Sequence, residues 1–276
     1  MRILIIFLII LFGLLPLYLR AEITVVTSIG PLYQITQSIM QGVGEPELLI
    51  ERLSAAHGFA FKPSQLRLLD RADLVIWIDR FFESGFQRLP WTLRTRVVQL
   101  ELLRSLGLTG QDGHIWYSPV LLRRITQQIS DALIELDPGN RKAYTRNTDE
   151  LSARLEYWQQ EFEPRIKAAS PRYLLDHDFL RYFEKDFGIQ ALAVLNDAND
   201  QPVGIRALRK IEEKLTYDPA SCLLTNETTA SKQARNLARR FNLRVYYIGT
   251  VDPATGNRPS VIQILDQLES ALINCR

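Results

Sequence analysis

Residues 141–169 read RKAYTRNTDELSARLEYWQQEFEPRIKAA. Along them Tyr144, Leu151, Leu155, Trp158, Phe162 and Ile166 recur at steps of 7, 4, 3, 4 and 4, the spacing of one apolar face of an α-helix. Pro138-Gly139 punctuates the start and Ser170-Pro171 the end, with no strand or turn signal between. A single helix of this length spans roughly 40 Å. It separates two stretches of similar character, and that division decides the architecture.

On both sides of the helix, short β-branched or apolar runs alternate with amphipathic segments, the pattern of α/β units on a mainly parallel sheet. Strands are expected at 23–27, 47–50, 74–78 and 97–100, with helices at 32–40, 64–71 and 119–136. In the second stretch strands fall at 172–175, 191–194, 222–225 and 245–248, with helices at 179–187, 205–215, 230–241 and 260–274. The expected fold is α/β: two lobes, each a mainly parallel sheet flanked by helices, joined by one long rigid linker helix. The lobes take residues 22–138 and 170–276, the linker 139–169. Wide closure of the lobes would have to break the linker's hydrogen bonds or shift its packing, so domain motion is expected to be small.

Residues 1–21 read as a signal peptide: Met1-Arg2, an apolar run over 3–19, then Arg20-Ala21-Glu22. The run is also long enough for an uncleaved anchor. No comparable run follows it. The only cysteines, Cys222 and Cys275, lie far downstream, so the mature chain is expected to be exported without a lipid anchor. Losing Arg2 and Arg20 lowers the basic count from 33 to 31, equal to the 31 acids. A chain near neutrality has no electrostatic case for nucleic acid or an anionic membrane surface. In an oxidising compartment the two cysteines can bridge; two buried thiols is the other reading. A bridge would close a loop of about 54 residues, worth about 4 kcal/mol in the chain-entropy model, and would staple the last helix to a strand.

The chain has three histidines, each where a strand or loop gives way to a helix. His57 lies in AAHGFAFKPS, His114 in DGHIWYSP and His177 in LDHDF. In open α/β sheets ligands gather at the carboxyl ends of strands, so all three can face one crevice. A single loop histidine is more often solvated or a helix cap. Three placed alike, with none elsewhere in the chain, point to a shared ligand. Three neutral imidazoles suit Zn²⁺, and a carboxylate would complete a tetrahedron. Asp252 is the first candidate for that fourth ligand, an Asp-Pro turn being its other duty, and Glu227 is the second. Asp176 and Asp178 flank His177 and could accept a hydrogen bond from a ligand, or one of them could cap the helix that follows.

With these residues in place, the chain resembles the zinc-specific solute-binding proteins of ABC importers, the ZnuA-like group of cluster A-I metal-binding proteins. Thr27-Ser28-Ile29-Gly30-Pro31-Leu32 is similar to the family's first strand and loop. His57 with Phe59, Lys62-Pro63-Ser64 and Ala72-Asp73-Leu74-Val75 is similar to the first ligand motif, and His114-Ile115-Trp116-Tyr117-Ser118-Pro119 to the second. His177-Asp178-Phe179 with Tyr182-Phe183 and Phe187-Gly188-Ile189 is similar to the third. Asp252-Pro253 falls where the family's last strand ends in an aspartate that often ligates. Cys222 and Cys275 sit where some members carry a disulfide. The resemblance implies two lobes joined by a rigid helix, with one metal ion between them. The metal would be captured in the periplasm by a monomer and delivered to a membrane permease driven by an ATPase. Gly58, Asp112-Gly113 and the stretch from Asn196 to Pro202 depart from the family's pattern. No histidine-rich loop lies between Ala72 and His114, so one zinc site without an auxiliary site is expected.

Three alternatives share these features. A zinc-dependent hydrolytic enzyme could use an open three-histidine site, but no HExxH pairing, nucleophile elbow or phosphate-cradling glycine loop is present, and an enzyme is not expected. A manganese- or iron-binding importer component of the same fold is the second, and an adhesin-like surface protein the third.

Overall fold

The computed structural model describes residues 23–51, 60–89, 97–197, 201–251 and 256–276. In the first lobe these form β1 (Val25–Ile29), α1 (Gly30–Ile39), β2 (Glu47–Ile50), α2 (Pro63–Arg71), β3 (Leu74–Trp77), β4 (Val98–Glu101), α3 (Leu102–Ser105) and α4 (Pro119–Leu136). The linker is α5 (Arg141–Ala169). The second lobe holds β5 (Tyr173–His177), α6 (Arg181–Phe187), β6 (Ala193–Asn196), α7 (Ile205–Tyr217), β7 (Cys222–Thr225), α8 (Lys232–Arg240), β8 (Arg244–Tyr247) and α9 (Val261–Asn274). Every strand pairing is parallel, and the orders β2-β1-β3-β4 and β6-β5-β7-β8 are the same order used twice. In each sheet the chain reverses direction of travel beside its first strand. That reversal opens a crevice between β1 and β3, and between β5 and β7, at the carboxyl ends.

β1 and β5 run two residues further than the pattern predicts, through Ser28-Ile29 and Asp176-His177. Those positions read as loop because polar residues appear there, but both strands are buried along their whole length. A parallel strand covered on both faces buries whatever polar groups it carries, and here it carries them to its carboxyl end. The short α3 and the 3₁₀ turns at Ser84–Arg88, Ile115–Tyr117 and Pro138–Asn140 had no periodic signal to announce them.

Helix ends follow local chemistry. Ser118 accepts the Leu121 N–H at the start of α4, where Pro119 takes the first position, and Ser260 with Gln263 forms a capping box on α9. α5 stops at Ser170, which adopts a left-handed φ of 44° ahead of Pro171. Pro164 within α5 removes the donor that would serve the Gln160 carbonyl, and it does so on the exposed side of the helix, where water can take its place.

All six apolar residues of the α5 repeat are buried. The helix packs against α1 and α4 of the first lobe and α9 of the second. Asn147, on the same face, donates to the carbonyls of Ile39 and Gln41 at 2.8 Å each, serving the end of α1. Trp158 donates to Asp266 of α9 at 2.9 Å, and its ring stacks on Phe162 beside Phe183 and Phe187 of α6.

One apolar core runs from the first sheet through α5 into the inner face of the second sheet, taking in Tyr173, Leu175, Cys222 and Leu224. A second core lies on that sheet's outer face, where Leu174, Leu195 and Leu223 meet Leu215 of α7 and Leu237 of α8. Alternate residues of β5 and β7 therefore belong to different cores, as a period of two requires. Cys222 and Cys275 form a disulfide with Cα atoms 5.4 Å apart, joining the start of β7 to the end of α9.

Candidate metal centre

His177 ends β5, at the crevice of the second sheet, and His114 stands in the first lobe immediately before the 3₁₀ turn that leads into α4. Their rings lie 4.8 Å apart, centroid to centroid, at 69°. Both are almost fully enclosed, 2% and 4% exposed. Two histidines separated by a long helix in sequence are thus neighbours across the lobe boundary.

His114 is held by its own loop. Asp112 Oδ1 lies 2.8 Å from His114 Nδ1 and also accepts the His114 backbone N–H at 3.3 Å. A carboxylate on Nδ1 fixes the proton there and leaves the lone pair on Nε2, the state of a metal-ligating imidazole. Burial alone would push the Asp112 carboxyl up, but the His114 contact, with help from Arg181, holds it below its ordinary range. Asp79 positions the next layer: its Oδ1 accepts the N–H groups of Phe81 and Phe82 at 2.9 and 2.8 Å, and the Phe82 ring meets His114 edge-on at 5.3 Å. A Cβ at residue 113 would stand 2.4 Å from Phe82 Cδ2, so only glycine fits between Asp112 and His114.

Two tyrosines tie the lobes together beside the histidines. Tyr182 of α6 donates to the Asp112 carbonyl at 2.8 Å, and Tyr117 donates to the Ile248 carbonyl, just beyond β8, at 3.0 Å. Burial first, then the Asp112 charge, pushes the Tyr182 hydroxyl up to about 12. Tyr117 rises as well, through burial and, to a lesser degree, the fields of Tyr247 and Glu227. Both stay protonated donors.

The remaining candidates separate. Asp176 is consumed within its lobe: Oδ1 accepts from Asn196 at 3.0 Å, and Oδ2 from the Ser231 N–H at 2.7 Å and the Thr225 hydroxyl at 3.3 Å. Asp178 pairs with Arg181. Neither caps α6, whose N-cap position is Leu180, so the capping duty expected of one of them is not used there. Glu227 is half-buried, and its charge reaches Tyr117 at the lobe boundary. His57 and Asp252 fall outside the described residues. Among the described residues no three histidine, cysteine or carboxylate side chains are grouped to hold a metal. In the sequence Asp112, Tyr117 and Tyr182 stand within or beside the histidine motifs without a role assigned to them, and Phe82 is not marked at all. The Asp-Gly-His spacing carried a local signal for Asp112, whereas the tyrosine contacts have no signature short of the folded chain.

The profile of the family described as "ZnuA: Zinc-uptake complex component A periplasmic" matches residues 25–275. The chain belongs to this family. It is a periplasmic zinc-binding component of zinc uptake, in a family of solute-binding transport proteins. The chain is 25% identical over 295 residues to the high-affinity zinc uptake system protein ZnuA of Yersinia pestis, with 92% of each covered, and 21% identical to that of Bacillus subtilis, with 91% of this chain and 88% of the relative covered. It is similar in fold to the laminin-binding protein of Streptococcus agalactiae, described as bifunctional with adhesin and metal transporting activity. That similarity has a TM-score of 0.80 at 20% identity, over 92% of this chain and 99% of that one. Among the described residues no helix is long and apolar enough to cross a membrane.

Proposed function

We propose that the chain binds one zinc ion between its lobes through His57, His114, His177 and Asp252, and hands it to the permease of an ABC importer powered by an ATPase. The observation that carries this reading is the closeness of the His114 and His177 rings, 4.8 Å apart, each from a different lobe. Paired imidazoles, one oriented by a carboxylate, form half of a tetrahedral zinc shell. The remaining half falls to His57 and Asp252, with Glu227 as the alternative to Asp252. The protein acts as a carrier and not a hydrolase, because a fourth protein ligand leaves no position for an activated water. It works as an exported monomer without a lipid anchor.

The test is competitive titration against a zinc chelator and against manganese. One tight zinc equivalent is expected, with zinc preferred over manganese, and His114→Ala and His177→Ala should each reduce retention by at least about 100-fold. Affinity should fall steadily between pH 7.5 and 5 as the imidazoles take up protons. Affinity flat over that range, or two tight equivalents, would contradict the proposal.

A further inference from the structure

The loop that carries His114 is held at both of its ends from the opposite lobe. Tyr182 of α6 donates to the Asp112 carbonyl at 2.8 Å, just before the histidine. Asp186, one turn further along α6, accepts the hydroxyl of Ser118, where the loop passes into α4. Tyr182 and Asp186 stand at i and i+4 and so share one face of their helix. Between these two grips, His114, Ile115, Trp116 and Tyr117 are all buried, and Tyr117 reaches across to the Ile248 carbonyl.

α6 is itself fixed. Phe183 and Phe187, on its neighbouring face, are buried against Phe162 of α5 with ring centroids 5.5 and 4.8 Å from it. Glu184 Oε1 accepts the Tyr173 hydroxyl at 2.7 Å and the Ala191 N–H at 2.8 Å, binding the helix back to β5, the strand that ends in His177. One short segment, 177–186, therefore supplies one histidine and holds the loop of the other. Without it the two rings would be related only through the 29 residues of α5, and long helices bend. Zinc takes imidazole nitrogen at about 2.0–2.1 Å and tolerates little drift, so its ligands need support from groups that are themselves locked.

We infer that Tyr182 and Asp186 are positioning residues for metal binding: from the second lobe they hold His114 of the first lobe at a set separation from His177, so that the two imidazoles move as one unit. The inference rests on the reading of His114 and His177 as zinc ligands, and it adds that one lobe aligns the ligand of the other. Asp112 determines which nitrogen of His114 is free to coordinate, and Tyr182 and Asp186 determine where that nitrogen stands.

The test uses the mature chain, loaded with Zn²⁺ for affinity and with Co²⁺ as a spectroscopic probe of ligand geometry. Tyr182→Phe and Asp186→Ala should each weaken zinc binding about tenfold and change the visible bands of the cobalt form. Asp186→Asn, which keeps an acceptor for the Ser118 hydroxyl, should restore both. Thermal unfolding of the metal-free variants checks their folding, and Tyr182→Phe, which removes one hydroxyl from a half-buried ring, carries the test if Asp186→Ala does not fold. Zinc affinities within about twofold of wild type, or weakened binding with unchanged cobalt bands, overturn the inference. His114→Ala is measured beside them. If it keeps wild-type affinity and bands, the metal reading falls and the inference with it; if it loses the metal while Tyr182→Phe and Asp186→Ala bind as wild type, the inference alone falls.

Discussion

Gly113 is the residue on which the His114 loop turns. An alanine there would drive its methyl into Phe82, the ring that meets His114 edge-on. Gly113→Ala should therefore cost about 1–3 kcal/mol in stability and weaken zinc binding by shifting the imidazole. Combining it with Phe82→Ala should recover much of the zinc affinity lost in Gly113→Ala, because the second change removes the obstacle. A double variant that binds no better than Gly113→Ala would show that the loop fails for another reason. The residues flanking His114 are also where this chain departs from its family's usual Asp-Pro. Proline too has a Cβ, so the glycine goes with the particular seat that Asp79 gives Phe82.

Glu83 is a second residue with a calculable consequence. It is fully buried, accepts the Ile78 N–H at 2.7 Å, and burial pushes its carboxyl up to about 8, the nearby Asp79 charge adding to the effect. The folded state thus holds this proton more tightly than the unfolded chain does. The contribution to stability is complete below pH 4.5 and is lost as pH rises toward about 8. Glu83→Gln keeps an acceptor for Ile78 and removes the charge. Thermal unfolding of the metal-free protein should show the variant more stable by several degrees at pH 8 and little changed at pH 5. Equal shifts at both values would assign the effect to packing.

At the scale of elements, the disulfide gives the plainest expectation. It ties β7 to α9, and α9 in turn packs on α5. Replacing both cysteines by serine should remove up to about 4 kcal/mol, lowering the melting temperature by on the order of 10 °C, while zinc affinity stays within a few-fold. Calorimetry and the competition assay measure the two separately.

The elements also show what could be read from the sequence. The α5 repeat, the alternation of strands and helices, and the histidines at strand or loop ends are properties of single segments, so periodicity exposes them. His177 at the end of β5 was legible because its strand is apolar up to Leu175. The true end of that strand was not, because Asp176 and His177 are polar residues buried by neighbouring strands and helices that a one-dimensional pattern does not contain. Asn147 illustrates the same limit: it interrupts the apolar face of α5 and looks like a defect until the end of α1 arrives with two carbonyls. Asp176 reads in the sequence as an acceptor for a ligand's hydrogen bond or as a helix cap, and the folded chain gives its oxygens to Asn196, Thr225 and Ser231, contacts that depend on how β5, β6 and β7 are laid side by side.

At the scale of the molecule, the lobes are less separate than a linker helix suggests. A continuous core passes from one sheet to the other through α5, and Tyr117 and Tyr182 bond across the boundary beside the histidines. Hinge closure would have to reopen packed apolar surface that no hinge segment isolates. Small-angle scattering of the zinc-free and zinc-loaded protein should give nearly superimposable profiles. A marked compaction on adding zinc would contradict the shared core.

The outer layer of the second lobe stands apart from that arrangement. Leu174, Leu195 and Leu223 pack under α7 and α8 in a core that does not join the main one. Its opening should therefore be an event of its own, with a free energy below that of unfolding the whole chain. Hydrogen exchange should accordingly be faster over α7 and α8 than over α5, the first lobe and the spine staying closed while that flank opens.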